Sequence, residues 1–284
     1  MPGGDRAGGQ EAGRPFRSAG WGMRMKRKLL VLVKAVPLEA GEVAMNSDFC
    51  IARDRISHQL NLADMAALEA AFRLRGEGTV TVLTMAAESA RDVLAELLAR
   101  GADRAVMVSD SQMAGADTYA TAAVLAAAIR KMGFFDLILC GRRTMDGETG
   151  QVPGEVAAAL GLGCITNASS LEAESEHFSC TRILEQGIVR LAVQVPAVVS
   201  FCEYAYPLRL PGLRARKVSV GKKVEILTAA DLGLEPCKCG LSGSRTKVMR
   251  VAQLEKGLRK GPKETNVTIG AEKILSMIRE KGHV

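Results

Sequence analysis

The residues with the strongest claim to chemistry form one short run, DGETGQV, at positions 146–152. Gly147 and Gly150 lack a Cβ, so the backbone there can approach a ligand closely. Thr149 and Gln151 add hydrogen-bonding side chains, and Asp146 and Glu148 add carboxylates. The residues that follow, 153–160, read as a helix whose first N–H groups and positive dipole end would face the loop. An anion suits such a place, and a nucleotide phosphate suits it well. On these residues alone an ordinary strand-to-helix turn is equally compatible, because neither the Walker nor the GxGxxG pattern is present. Asp146 and Glu148 are better read as acceptors for ribose or backbone N–H groups than as acid–base catalysts.

Other reactive side chains form no constellation. His58, His177 and His283 are far apart and accompany no Ser or Cys nucleophile motif, so no hydrolytic triad and no catalytic residue is expected. Cys237 and Cys239 make a C-x-C with no second pair or His at ligand spacing, so no metal is expected. The 7 cysteines are odd in number and scattered, as befits reduced thiols and a cytoplasmic location.

The elements that must position the loop alternate. Residues 29–33 read as a buried strand that leaves the sheet before Pro37, and 64–75 as a helix with Met65, Leu68 and Phe72 at helical spacing. Residues 80–84 read as a second strand. Ser89 and Asp92 resemble a capping pair for a helix burying Val93, Leu94, Leu97 and Leu98, stopped at Gly101. Residues 106–108 form a third strand, 117–130 an Ala-rich helix, and 137–140 a fourth strand running straight into Gly141 and the loop. Strands and helices alternating at this length predict right-handed parallel crossovers. After Leu160 the segments 169–173, 178–184 and 188–193 read as an antiparallel meander, and 197–201 as an apolar strand after Pro196. These extend the same sheet. Beyond Cys202 no core pattern returns until 271–281, where Ile274, Leu275 and Ile278 mark an amphipathic helix.

Composition sets the frame. A hydrophobic content of 48% with only 4% aromatics suits helices packed on a buried sheet, and no run is long enough to span a membrane. The net charge of +7 is uneven: residues 238–263 carry eight Lys or Arg against one acid, Glu255. Without nucleic-acid motifs or stacking aromatics, that segment reads as an arm lying on an acidic protein, and no nucleic-acid partner is expected. Residues 1–24 are Gly- and Arg-rich without apolar periodicity and are expected to be a disordered extension. The domain expectation is therefore 25–236 for the α/β body and 237–284 for an extended C-terminal arm and helix.

Several stretches together resemble the β subunits of electron-transfer flavoproteins: LLVLVKAVP at 29–37, LNLADMAALEAAFRL at 60–74, GADRAVMV at 101–108, CGRRTMDGETGQVPGEVAAALG at 140–161, PAVVSF at 196–201, LPGLRARK at 210–217 and GLSGSRTKV at 240–248. The order and number of these motifs make the resemblance specific. It implies a mostly parallel, Rossmann-like α/β sheet with helices on both faces, of the adenine nucleotide α-hydrolase-like kind. It further implies a heterodimer with an α subunit that holds most of the FAD, with the arm at 237–284 contacting that subunit. Carried over position by position, a nucleotide would touch Leu32, Asn61, Asp64 and Met85, together with Thr144, Met145, Asp146, Gly147, Glu148, Thr149, Gly150, Gln151 and Val152.

Two departures stand out. Leu62 and Ala63 replace the aromatic that often follows the helix-start Asn, and the loop resembles the shorter DGDT type of bifurcating members, in which a second FAD can occupy the AMP position. The sequence leaves AMP and FAD both open. The resemblance also implies docking of a partner such as an acyl-CoA dehydrogenase near Tyr206, Leu208 and Arg209. A stand-alone adenine-nucleotide hydrolase of the same fold superclass is the alternative.

Overall fold

A computed structural model describes residues 26–38, 58–174, 177–249 and 264–282. The expected extension at 1–24 lies outside the described residues, as does His283. The apolar runs become strands β1 (Lys28–Leu32), β4 (Thr79–Met85), β5 (Arg104–Val108), β6 (Leu137–Gly141) and β10 (Ala197–Phe201). Between them lie α1 (Leu62–Leu74), α2 (Arg91–Arg100), α3 (Thr118–Met132) and α4 (Val152–Leu160). The meander is β7 (Gly163–Ala173), β8 (Phe178–Leu184) and β9 (Gly187–Val193). Four further elements carry no strong local pattern: the pair β2 (Ala35–Pro37) and β3 (His58–Leu60), the helix α5 (Leu213–Ser219), and the three-residue strand β11 (Glu225–Leu227). The C-terminal helices are α6 (Gly240–Gly243) and α7 (Val267–Glu280).

Nine strands make one sheet in the order β11-β5-β4-β1-β6-β10-β7-β8-β9. All pairings from β11 to β7 are parallel, and β8 pairs antiparallel with β7 and with β9. The expected mixed sheet is thus observed. Because both faces are covered, the central strands are mostly apolar and their side chains alternate between two cores. Leu29, Val31, Val80, Val82, Leu137, Leu139, Val199 and Phe201 pack on the side of α1 and α2. Leu30, Leu32, Leu83, Ile138, Cys140 and Val198 pack on the side of α3 and α4.

Helix α1 is buried on nearly every side, and Leu171, Phe178, Cys180 and Val193 of the meander join the same core as its alanines. This explains its Ala-rich surface, since small side chains let the helix lie close to strands. Its one deeply buried acid away from the helix start is Glu69, which accepts from Arg209 Nε at 2.9 Å and Arg73 Nε at 3.0 Å. Burial alone would raise the Glu69 carboxyl, but these guanidinium groups outweigh it and hold it below its usual range.

Two local expectations give way. No Ser89–Asp92 capping box opens α2; a 3₁₀ turn, Glu88–Ala90, feeds it directly, and the N-cap is Ala90, which has no side-chain acceptor. The body also does not end at 236: the chain divides into compact units at Val248–Met249. Cys239 is buried in the α3 and α4 core, and Gly240, at φ +54°, lies so close to the Gln112 carbonyl that a Cβ would stand 2.2 Å from it. Asp117, the N-cap of α3, accepts from the backbone N–H groups of Arg245 and Thr246 at 2.8 Å each. Residues 237–248 therefore belong to the body. Among the described residues no helix is long and apolar enough to cross a membrane.

Candidate functional site

The sheet order reverses at β1, which has β4 on one side and β6 on the other. In open parallel sheets the crevice outside the carboxyl ends of such strands is where ligands bind. Here those ends are Val33 and Lys34 after β1, and Gly141 at the end of β6 with Arg142 after it. Helix α1 starts at the same place. Its N-cap, Asn61, is fully buried and makes no side-chain cap. Instead its amide donates to the Arg143 carbonyl at 3.0 Å and accepts from Met145 N–H at 3.1 Å. Asp64, in the first turn, is 4% exposed; it accepts from Lys34 N–H at 2.7 Å and Gly141 N–H at 2.9 Å.

The loop is thereby tied to the crevice at several points. Lys34 Nζ meets Asp146 Oδ1 at 2.8 Å, and the same oxygen accepts from Gly147 N–H at 2.8 Å. Glu148 N–H closes a turn on the Thr144 carbonyl at 3.0 Å. Glu148 has φ +48° and Gly150 φ +64°. For Glu148 this left-handed conformation costs roughly 1 kcal/mol, and such strain, once observed, points to function. Gly147, Glu148, Thr149, Gly150 and Gln151 are all exposed, and Gln151 is the N-cap of α4, with Pro153 in its first turn. The loop thus offers open backbone leading into a helix start, with its flanks pinned from below.

Beside it, Glu203, just beyond β10, holds Arg142 Nε at 2.7 Å and Arg143 Nε at 3.0 Å. Burial would raise its carboxyl, but its own backbone N–H and the two arginines outweigh that and lower it. A cavity of about 380 Å³ opens here, walled by Leu62, Arg143, Thr144, Met145, Glu203 and Tyr204. Leu62 gives this cavity one aliphatic wall.

Of the sequence-expected residues, Asn61, Asp64 and the loop converge through direct bonds. Leu32 is buried at the end of β1, and Met85 is partly exposed at the end of β4; both lie along the same edge of the sheet and pack into the α3 and α4 core. Lys34, Arg142, Arg143 and Glu203 were not anticipated. Only Lys34 carried a signal, a lone charge directly after an apolar strand. Tyr206, Leu208 and Arg209 are engaged within the chain. The Tyr206 hydroxyl accepts from Leu171 N–H at 2.8 Å, Leu208 packs on the core, and Arg209 serves Glu69. Nearby, Tyr204, Leu210 and Leu213 turn outward, each about four-fifths exposed.

The role of Asn61 is measurable. Asn61→Ala leaves the Arg143 carbonyl and the Met145 N–H without their partner, a loss of about 1 kcal/mol per bond. Hydrogen exchange at the Met145 amide is expected to accelerate about tenfold while amides of β1 and β6 keep their protection. Unchanged exchange at Met145 would show that the loop does not depend on Asn61.

Residues 48–232 match the family described as electron transfer flavoprotein domain. The electron transfer flavoprotein subunit beta of Thermoanaerobacterium thermosaccharolyticum is 37% identical over 225 residues, covering 78% of this chain and 86% of that one. The caffeyl-CoA reductase-Etf complex subunit CarD of Acetobacterium woodii is 34% identical over 259 residues, covering 89% and 98%. Protein FixA of Bradyrhizobium diazoefficiens is 36% identical over 232 residues, covering 78% and 81%.

Proposed function

The chain belongs to the electron transfer flavoprotein family as a β-subunit member, and from that premise we propose that it pairs with an α subunit and holds an adenine nucleotide on the loop at 146–152. The observation that carries this reading is the open loop backbone leading into α4 at the point where the sheet order reverses. The site suits such a group: Gly147 and Gly150 present no Cβ to it, Glu148 is held in a strained conformation, and the free N–H groups of the first turn of α4 favour phosphate. In this reading Asn61, Asp64 and Lys34 hold the loop, while Leu32 and Met85 contribute backbone at the strand ends.

FAD supplies the electron-carrying ring, held mainly by the α subunit, and the heterodimer relays electrons between a partner dehydrogenase and an acceptor. This chain supplies no bond-making residue. The likeness to CarD, a subunit of a caffeyl-CoA reductase-Etf complex, and to an acryloyl-CoA reductase electron transfer subunit favours a second FAD on the loop and flavin-based bifurcation over AMP. The segment 204–223, with Leu210 and Leu213 outward and a basic face, is the proposed docking surface for an acyl-CoA-type dehydrogenase.

The deciding experiment is nucleotide extraction from the purified heterodimer with chromatographic identification. Two FAD per heterodimer is the expected result. One FAD with one AMP would keep the nucleotide site and remove bifurcation. One FAD and no further nucleotide would overturn the assignment of the loop.

A further inference from the structure

We propose that Asp64 is the positioning residue of the nucleotide loop: its carboxylate joins the carboxyl ends of β1 and β6 through the N–H groups of Lys34 and Gly141, and protonation of that carboxylate loosens the loop. The inference rests on the nucleotide reading above. It starts from geometry. The two donors come from different strands, on either side of the reversal in sheet order, and each meets a different oxygen, Oδ2 at 2.7 Å and Oδ1 at 2.9 Å. An ionised carboxylate accepts at both; the amide of an Asn accepts at one and would point N–H against N–H at the other. From these two anchor points the chain runs directly to the loop. Lys34 reaches it through its ammonium on Asp146, and Gly141 through the peptides of Arg142 and Arg143, whose carbonyl Asn61 holds.

The second observation is that the fold keeps this acid where burial works against it. Asp64 is almost fully enclosed, and its carboxyl is pushed up to about 7 by burial, opposed by the Lys34 N–H, Asn61 and Gly141 N–H hydrogen bonds and by the Lys34 ammonium. Among the described residues the titratable and charged groups facing it are few. Lys34 stands on the corner after β1. Cys140 on β6 is a neutral thiol, since burial raises it well above its usual range. Asp146, on the loop, pairs with the Lys34 ammonium.

Two pH dependences of opposite sign follow. The folded chain binds the Asp64 proton more tightly than the unfolded chain, whose ordinary value is 3.8. The contribution of Asp64 to stability is therefore full below that value and is lost as pH rises to about 7. The loop-holding form, in contrast, is the carboxylate, which is gained as pH rises through the same region. A group that only stabilised the fold would show the first dependence without the second.

The test uses the heterodimer stripped of its loop nucleotide, titrated calorimetrically with AMP and separately with FAD from pH 6 to 8, alongside Asp64→Asn. For whichever nucleotide binds, wild-type affinity is expected to rise about tenfold across that interval relative to the variant, the amount one proton with a midpoint near 7 supplies. Ionisation of the AMP phosphate is common to both proteins and cancels in the ratio. Wild-type stability, in turn, should fall relative to Asp64→Asn as pH rises from 4 to about 7. If Asp64→Asn does not fold, the wild-type profile carries the test, corrected for the phosphate ionisation read by phosphorus NMR. A pH-independent affinity ratio, or a flat corrected profile, overturns the positioning role. Failure of wild type to bind either nucleotide at any pH overturns the nucleotide reading instead.

Discussion

Gly141→Ala is expected to destabilise the chain by about 3 kcal/mol, the upper end for overpacking a well-filled site. A Cβ at Gly141 would stand 2.4 Å from Asp64 Oδ1, 2.7 Å from Ala63 Cβ and 2.9 Å from the Ala63 carbonyl carbon. None of these can yield cheaply. The Asp64 oxygen is held by the N–H of Gly141 itself, and Ala63 is backbone of a helix buried on nearly every side. The start of α1 would have to move away from β6, carrying with it the Asn61 bonds that hold the loop. Nucleotide binding is therefore expected to weaken together with stability. Urea unfolding measures the first and retained nucleotide the second. Gly154→Ala is the matched control: it lies inside α4 with nothing within 4 Å of its added Cβ. There the same methyl group is expected to raise stability by about 0.5–1 kcal/mol, because a helix-interior Gly costs that much backbone entropy. A loss of less than 1 kcal/mol at Gly141 would show that the junction of α1 and β6 is looser than its geometry.

Truncation after Val248 is expected to abolish heterodimer assembly while leaving the body folded. Asp117, Gln112 and the buried Cys239 hold the chain through Thr246, so these contacts survive the cut. What is lost is α7, capped by Asn266 on the N–H groups of Thr268 and Ile269. Along it Val267, Ile274, Leu275 and Met277 are all about half exposed or more. A helix with such a stripe gains little from the stripe in water and much against a partner. Size-exclusion chromatography of the co-expressed pair should show the truncated chain eluting alone, with an unfolding midpoint within about 2 °C of the full chain, since the contacts at Asp117, Gln112 and Cys239 remain in place. Truncation before Gly240 should, by comparison, destabilise the body itself. Intact assembly without residues 249–284 would remove the arm from the interface.

The alternation of strands and helices, the two-sided burial of the central strands and the loop at 146–152 were all legible in the residues, because each rests on neighbours close in the chain. An apolar run of five residues buries itself as a strand in almost any sheet, and a glycine pair before a helix permits close approach whatever surrounds it. Family membership was legible for a different reason: several motifs recur in a fixed order. Other features depended on partners distant in sequence. Asp64 meets Gly141 across 77 positions, Lys34 meets Asp146 across 112, and Glu203 meets Arg142 across 61. Asn61 reads locally as a helix cap, and its amide is drawn to the loop because β6 delivers two backbone groups beside it. β11 is three residues long and exists as a strand by pairing with β5. The body extends to Val248 because the start of α3 offers Asp117 to residues more than a hundred positions away. What the residues alone determined was which segments could form and which loop could meet a phosphate; the tertiary structure decided which buried groups hold that loop, because register and sheet order choose the partners and local periodicity carries no information about either.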